Sequence, residues 1–167
     1  MLDLILKNGR IVDGTGNPWF SGDVGIKDGT IASVGKSRAK SLETIDVDGL
    51  TISPGFIDGH CHSDLMVLDR PESEIKLAQG VTTEVVGNCG MSPAPFSPAR
   101  LDPLQTYVEP VLGTTERTWS WETLDEYVRC VRGARPSENV ATYVGHGTLR
   151  IAAMGFENRP ATAEEVT

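Results

Sequence analysis

The chain has 167 residues, 39% hydrophobic and 23% charged, a composition that can bury a core and does not indicate disorder. The formal net charge of −8, with no run of basic residues, opposes binding to polyanions and excludes nucleic acid as a partner. No stretch approaches the ~18 apolar residues of a membrane span. Residues 1–7 also lack a signal peptide's long apolar region, so no membrane association is expected and the cytoplasm is the default location.

Residues 1–50 are predicted to form a small β domain, with strands at 2–6, 9–12, 23–27, 30–34 and 43–47. Asp28-Gly29 lies between two alternating runs and predicts a hairpin, and Asp48-Gly49 repeats that signal. About 50 residues of strands make a marginal core. We therefore expect this region to pack on a neighbour or to be completed by other sequence.

Residues 51–167 alternate between strand and helix patterns, which predicts parallel strands joined by right-handed crossovers, in a doubly wound sheet or a barrel. The predicted strands are 51–58, 81–86 and 140–144, and the predicted helices are 71–79 and 121–131, the second capped by Ser120. Residues 88–118 hold five prolines and are predicted to be a long loop, either a functional lid or a solvated excursion. Thr162 and Glu165 have the spacing of a capping box, which predicts a further helix, so we expect the chain to be part of a longer protein.

His60-Cys61-His62 follows an apolar strand. In extended backbone, residues i and i+2 project to the same face, so both imidazoles can reach one metal ion. Cys61 is expected to point to the opposite side and to pack. A lone histidine would more simply be a structural residue, but two of the chain's three histidines in this pattern favour a metal site.

Cys89 and His146 each follow a later predicted strand and are flanked by glycines. The carboxyl ends of parallel strands are where ligands gather in α/β folds, and zinc accepts mixed histidine and thiolate ligands. Cys89 is thus a candidate ligand, with a buried inert thiol as the alternative. His146 by itself is equally explained as a structural hydrogen-bonding residue. Three cysteines at wide spacing argue against a disulfide framework, and Cys130, beside an apolar helical stripe, is expected in the core.

The stretch at 53–62, ending in the HxH pair, resembles the amidohydrolase superfamily, where such a pair on the first barrel strand binds metal. The sequences DGHCHSD at 58–64, GNCG at 87–90 and GHGTLR at 145–150 resemble those of the N-acyl-D-amino-acid deacylases, or D-aminoacylases. The resemblance covers essentially the whole chain. The HxH pair alone is specific only to the superfamily, and its combination with the cysteine motif is more telling.

The resemblance implies an α/β fold, in which a small β-sandwich-like region at 1–50 precedes the first three β/α units of an incomplete TIM (β/α)₈ barrel at 51–167. It implies a zinc-dependent hydrolase that cleaves the amide of an N-acyl-D-amino acid to a D-amino acid and a carboxylate. Cys89 would bind zinc, with two histidines on later strands, and His60 and His62 would belong to an adjacent, weaker metal position. The general base and the remaining ligands are expected beyond Thr167. His146 is expected at the substrate-facing rim.

A (β/α)₈ barrel typically needs ~250 residues, so this chain cannot close one. Its open sheet edge would favour self-association, and the isolated chain is expected to lack turnover. Three alternatives remain open. The first is a cyclic-amide hydrolase of the hydantoinase or dihydroorotase type, which is expected to use a carboxylated lysine in place of Cys89. The second is a cysteine nucleophile, Cys89, with His146 as base. The third is a non-catalytic fragment, with a structural metal site or none.

Overall fold

The structure is a computed structural model that describes residues 1–166, so Thr167 lies outside the described residues. The chain combines strands and helices and divides after Pro54 into two compact units. Among the described residues, no helix has both the length and the apolar character needed to cross a membrane.

The first unit is a five-stranded sheet. Its strands are β1 (Leu2–Ile11), β2 (Phe20–Lys27), β3 (Thr30–Gly35), β4 (Ser41–Asp46) and β5 (Thr51–Ile52). The order is β3-β2-β1-β4, with β5 also paired to β1. The predicted strands at 2–6 and 9–12 are one strand, whose pairing with β2 shifts register between Leu6 and Gly9. The predicted break therefore coincides with an irregularity within β1.

The two Asp-Gly turns behave differently. Asp28 and Gly29 both have positive φ and join the antiparallel pair β2 and β3, so the predicted hairpin is confirmed. The hairpin prediction for Asp48-Gly49 is wrong, because β4 and β5 are both parallel to β1. Along β1, β4 pairs with residues 2–7 and β5 with residues 10–11. The second turn thus moves the chain along one edge of β1 without reversing it.

The second unit contains a three-stranded sheet and six α-helices among its described residues. The strands are β6 (Phe56–Asp58), β7 (Val81–Val86) and β8 (Asn139–Thr142). The helices are α1 (Met66–Asp69), α2 (Glu74–Leu77), α3 (Leu101–Leu112), α4 (Leu124–Ala134), α5 (His146–Met154) and α6 (Ala163–Val166), with a 3₁₀ turn at Pro98–Arg100. The sheet order is β6-β7-β8 and both pairings are parallel. The carboxyl ends of all three strands therefore meet at one edge, as the strand and helix alternation predicted.

Two predicted elements at the start of this unit are shorter than expected. The strand predicted at 51–58 is interrupted around Pro54, and its halves β5 and β6 belong to different sheets. The helix predicted at 71–79 is only α2, because Ser73 has a φ of +48°, which no right-handed helix accommodates. Gly80, with a φ of +81°, follows α2 as predicted.

The long loop predicted at 88–118 contains α3, so the loop prediction is wrong for residues 101–112. Leu104, Val108 and Leu112 recur at four-residue spacing and are all buried. Pro103 lies in the first turn of α3, where a missing N–H costs little, and Pro110 lies in its last turn.

Helix α4 begins three residues later than predicted. Its N-cap is Thr123, whose hydroxyl accepts the Glu126 N–H while the Glu126 carboxylate accepts the Thr123 N–H, which forms a capping box. The prediction of Ser120 as the cap is wrong for this reason. Trp121, expected on the helix, lies just before it and is nevertheless buried.

The core of this unit lies where α1, α3, α4 and α5 meet. Its buried members include Leu68, Leu104, Tyr127, Val131 and Ile151, and Cys130 packs against them, as expected. Trp121 stacks on Trp119 and donates from Nε1 to the Pro93 carbonyl at 2.8 Å.

At the other end of the unit, the capping box predicted for α6 is present. The Thr162 N–H donates to the Glu165 carboxylate, and the Glu165 N–H donates to the Thr162 hydroxyl.

Candidate metal centre

The His60-Cys61-His62 segment follows β6, and its side chains alternate between two faces. The two imidazole centroids are 5.5 Å apart, with the ring planes at 76°. Cys61 is buried on the other face, where its Sγ is 3.4 Å from a carboxylate oxygen of Glu84. Burial raises the pKa of the Cys61 thiol, which suits a packing role. The expected separation of Cys61 from the two histidines is therefore present.

Asp58, the last residue of β6, fixes the start of this segment. Its Oδ1 accepts the His60 N–H at 3.2 Å, and its Oδ2 pairs with the Lys76 ammonium. The Lys76 hydrogen bond lowers the pKa of Asp58 and the His60 N–H lowers it further. Asp58 is therefore charged near neutral pH and orients the backbone at His60.

Cys89 meets the histidines from the loop after β7. Its Sγ lies 3.1 Å from His60 Nε2, and the side-chain ligand atoms of His60, His62 and Cys89 all lie within 4.8 Å of one another. This spacing allows one metal ion to contact all three. His62 Nδ1 is buried and has no hydrogen-bond partner. A buried polar atom without a partner is costly unless another group binds it, so the arrangement fits a metal ligand set.

The Cys89 loop has an unusual backbone. Cys89 has a φ of +55°, a region that side chains other than glycine seldom adopt. Gly87, with a φ of +78°, packs so closely that a Cβ there would lie 2.2 Å from the Tyr143 carbonyl oxygen. The loop after β7 is therefore held against the backbone that follows β8.

Two polar residues that the sequence reasoning missed connect the Cys89 loop to the histidine segment. Asp64, fully buried, accepts the Gly87 N–H at 2.9 Å, and Asn88 Nδ2 donates to the Cys61 carbonyl at 3.4 Å. Burial raises the pKa of Asp64 to about 6. No local sequence pattern signals the Asp64 contact, because Gly87 lies 23 positions away.

His146 lies apart from the three ligand atoms. It is the exposed first residue of α5 and does not belong to the group that could hold a metal. The backbone around it is tied to the Cys89 loop, because Gly147 N–H donates to the Gly90 carbonyl at 2.9 Å. Gly145 N–H likewise donates to Ser92 Oγ at 2.9 Å. The structure thus brings this segment to the same sheet edge without bringing the His146 side chain into the ligand group.

The chain is similar to known hydrolases in sequence. Residues 43–162 match the amidohydrolase family. A D-aminoacylase from Alcaligenes xylosoxydans xylosoxydans is 38% identical over 98% of this chain and 33% of that protein. An N-acyl-D-glutamate deacylase from the same organism is 40% identical over 98% of this chain and 33% of that protein. The chain therefore spans about a third of the length of the curated relatives it matches.

The fold is similar to those of solved D-aminoacylase and N-acyl-D-glutamate deacylase structures. A crystal structure of a D-aminoacylase has a TM-score of 0.84 at 40% identity, over 99% of this chain and 34% of that one. An N-acyl-D-glutamate deacylase from Bordetella bronchiseptica, complexed with zinc and a phosphonate mimic of the tetrahedral intermediate, has a TM-score of 0.81 at 38% identity, over 98% of this chain and 34% of that one. A D-hydantoinase from Thermus sp., at 18% identity and a TM-score of 0.52, shares the fold alone. With the family match extending over residues 43–162 and around the His60, His62 and Cys89 cluster, the chain belongs to the amidohydrolase family.

Proposed function

We propose that this chain is part of a zinc-dependent hydrolase that cleaves the amide bond of N-acyl-D-amino acids, releasing a D-amino acid and a carboxylate. The observation that carries the proposal is the convergence of His60, His62 and Cys89. It occurs in a chain whose relatives at 38% and 40% identity are D-amino-acid deacylases. The cysteine favours this branch over the cyclic-amide hydrolases, for which a carboxylated lysine is expected.

The ligand set fits zinc. Imidazole nitrogen and thiolate sulfur are both good zinc ligands. Cys89 would hold zinc at the tighter position, and His60 and His62 would belong to an adjacent, weaker metal position. A bound zinc ion supplies Lewis-acid chemistry that polarises an amide carbonyl and makes hydroxide available near neutral pH. Neither His60 nor His62 would serve as the general base, since each would give its lone pair to a bound metal.

The chain's own residues position these ligands. Asp58 orients the backbone at His60, and Asp64 holds Gly87 two residues before Cys89. Both carboxylates accept backbone N–H groups: the Asp58 contact is local to the histidine segment, and the Asp64 contact joins that segment to the Cys89 loop. His146 is assigned to the rim of the site, where the α5 N-terminus would face substrate.

Residues 51–167 are proposed to form the first three β/α units of a TIM barrel, with β6, β7 and β8 as the first three barrel strands. In such barrels the active site lies at the carboxyl ends of the strands, where His60, His62 and Cys89 are found. Residues 1–50 are proposed as part of a small sandwich-like β domain, for which β1 to β5 supply one sheet. Because the chain spans about a third of its relatives' length, the activity is proposed for a whole protein of their length that includes these residues.

The test is a comparison of Cys89→Ser with Cys130→Ser in that whole protein. We expect zinc in the purified protein, hydrolysis of N-acetyl-D-amino acids over their L enantiomers, and loss of turnover on chelation. Cys89→Ser should lower kcat/KM by at least about 100-fold, because losing residues that only support metal ligands already costs about 10- to 100-fold. Cys130→Ser should stay near the unmodified rate. Turnover by metal-free protein, full activity of Cys89→Ser, or preference for L substrates would each contradict the proposal.

A further inference from the structure

A cavity of about 340 Å³ lies on the side of β7 that faces away from His60 and His62. Its floor holds the carboxylates of Glu84, on β7, and Glu138, just before β8, and Met66, Val67 and Ile75 form apolar parts of its wall. The volume is within the range of small-molecule sites. None of these residues belongs to the proposed metal centre.

Each floor carboxylate has one oxygen that is satisfied and one that is not. Glu84 is fully buried; Ser63 Oγ donates to its Oε2 at 2.6 Å, and its Oε1 has no hydrogen-bond partner. Glu138 is 6% exposed; Ser73 Oγ donates to its Oε1, and its Oε2 has no partner. Burial raises the pKa of Glu138, and repulsion from Glu84 raises it further. Two buried carboxylate oxygens without donors are costly unless the pair shares a proton or receives donors from a bound group.

The two carboxylates and the two serines of the floor offer acceptors and no free donor, and the basic side chains of the lining are Arg70 and Lys76. The Ser63 and Ser73 hydroxyls already donate their hydrogens to the carboxylates, so each hydroxyl oxygen can only accept a further hydrogen bond. Lys76 shows that the floor attracts an ammonium, since its Nζ is 3.6 Å from Glu84 Oε2, but it is already paired with Asp58. An additional group therefore has to bring its own donors.

The charge and the apolar walls of the cavity indicate which class of ligand it can bind. The lining has two more acidic than basic residues, with Glu72, Glu74, Glu84 and Glu138 against Arg70 and Lys76. A bare metal ion satisfies the carboxylates and gains nothing from the apolar wall of Met66, Val67 and Ile75. A primary ammonium has three N–H donors for the acceptor floor, and an attached alkyl chain buries apolar surface against that wall.

We propose that this cavity is a binding site for a primary alkylammonium group, held by the free oxygens of Glu84 and Glu138. The cavity shares no ligand side chain with the metal centre, and the proposal does not rest on the proposed hydrolase activity.

The test measures binding of n-butylammonium chloride by calorimetry, in the whole protein and in an amine-free buffer at about pH 8, where carboxylates are ionised. Tetramethylammonium, which has the charge without N–H donors, potassium ion and n-butanol serve as matched probes. Glu138→Gln replaces one of the two floor carboxylates with a neutral amide. Glu74→Gln makes the same replacement at an exposed residue of the lining and is the control. We expect one equivalent of n-butylammonium to bind, and we expect each of the three comparison probes to bind more weakly. Glu138→Gln should weaken binding about tenfold or more, since a hydrogen bond to a charged group is lost.

Glu74→Gln should change the affinity less than about threefold, as expected for an exposed charge. Equal binding of potassium ion would replace the proposal with an inorganic cation site. Equal binding of n-butanol or tetramethylammonium would refute the role of the N–H donors. No binding by any probe would leave only water in the cavity and overturn the proposal. If Glu138→Gln does not fold, the four-probe comparison on the unmodified protein still decides it.

Discussion

Gly87 and Gly90 flank the strained Cys89 residue and have nearly the same backbone angle, with φ of +78° and +77°. They differ in the space around them. A Cβ on Gly87 would lie 2.2 Å from a backbone oxygen, whereas one on Gly90 would meet its nearest neighbour, Gly147 N, at 3.5 Å. The first is a severe overlap and the second an ordinary contact.

We therefore expect Gly90→Ala to cost about 1 to 2 kcal/mol of unfolding free energy, the penalty of a left-handed alanine. Gly87→Ala should cost about 3 kcal/mol or more, because overlap with backbone adds to that penalty. Urea unfolding of the chelator-treated protein measures both values without a contribution from bound metal. Equal losses for the two variants would show that the close approach of Gly87 to Tyr143 is absent in solution.

The strand periodicity of two was enough to predict that His60 and His62 share a face and that Cys61 opposes them. It could not find Asp64, Glu84 or Asn88, whose roles depend on contacts with residues distant in sequence. Asp64, for example, accepts an N–H from Gly87, 23 positions away. No local pattern encodes such a pairing.

Glu138 provides a prediction about pH. Burial and then Glu84 raise its pKa in the folded state above the ordinary 4.5, while Ser73 and Lys76 oppose the rise. Below the unfolded pKa the group is protonated in both states, and above the folded pKa the folded state bears the full cost of burying the charge. The group's contribution to stability is therefore lost as pH rises through the folded pKa.

Glu138→Gln removes this loss, so its melting temperature should exceed that of the unmodified protein at about pH 8 and approach it near pH 4. Thermal melts across this range, with the exposed Glu74→Gln as control, measure the difference. The raised pKa of Glu138 would be contradicted if Glu138→Gln melted at a lower temperature than the unmodified protein at every pH. It would also be contradicted if the difference between the two melting temperatures did not change with pH.

At the scale of elements, helix α3 shows why proline content misled the sequence reasoning. Pro103 lies in the first turn, where its missing N–H has no helical partner to lose. Pro110 lies inside α3, within its last turn, and the helix continues through it to Leu112. The buried spacing of Leu104, Val108 and Leu112 was readable in the sequence. Similarly, Thr123 with Glu126 was a complete capping box three residues after Ser120. The Asp48-Gly49 turn could not be interpreted locally, because its outcome depends on how β4 and β5 share β1.

Helices α4 and α6 both begin with a capping box but differ in burial, which gives a matched pair of tests. Helix α4 buries Tyr127 and Val131, whereas α6 buries no residue. Thr123→Ala should lower the free energy of unfolding by about 1 kcal/mol, the usual cost of losing an N-cap. Thr162→Ala should change it by less than about 0.5 kcal/mol, since α6 can fray without opening the core. Chemical denaturation measures both, and a larger effect at Thr162 would contradict this view of α6.

At the scale of the whole molecule, the second unit presents open sheet edges. Within the described part of the chain, β6 and β8 each pair only with β7. Ile57, on β6, is 69% exposed, and Tyr143, directly after β8, is 60% exposed. Unpaired N–H and C=O groups beside exposed apolar side chains are a template for pairing with another chain.

The 167-residue chain, expressed alone, is therefore expected to self-associate through the β6 edge at about 10 to 100 µM, where exposed strand edges commonly associate. Ile57→Lys should shift the population toward monomer, because a charged side chain on an edge strand resists pairing. Leu149→Lys, on the exposed face of α5, is the control that removes an apolar side chain away from any strand edge. Sedimentation velocity over that concentration range measures the association. A monomer at every concentration would refute the prediction, and equal effects of the two substitutions would place the contact outside the β6 edge.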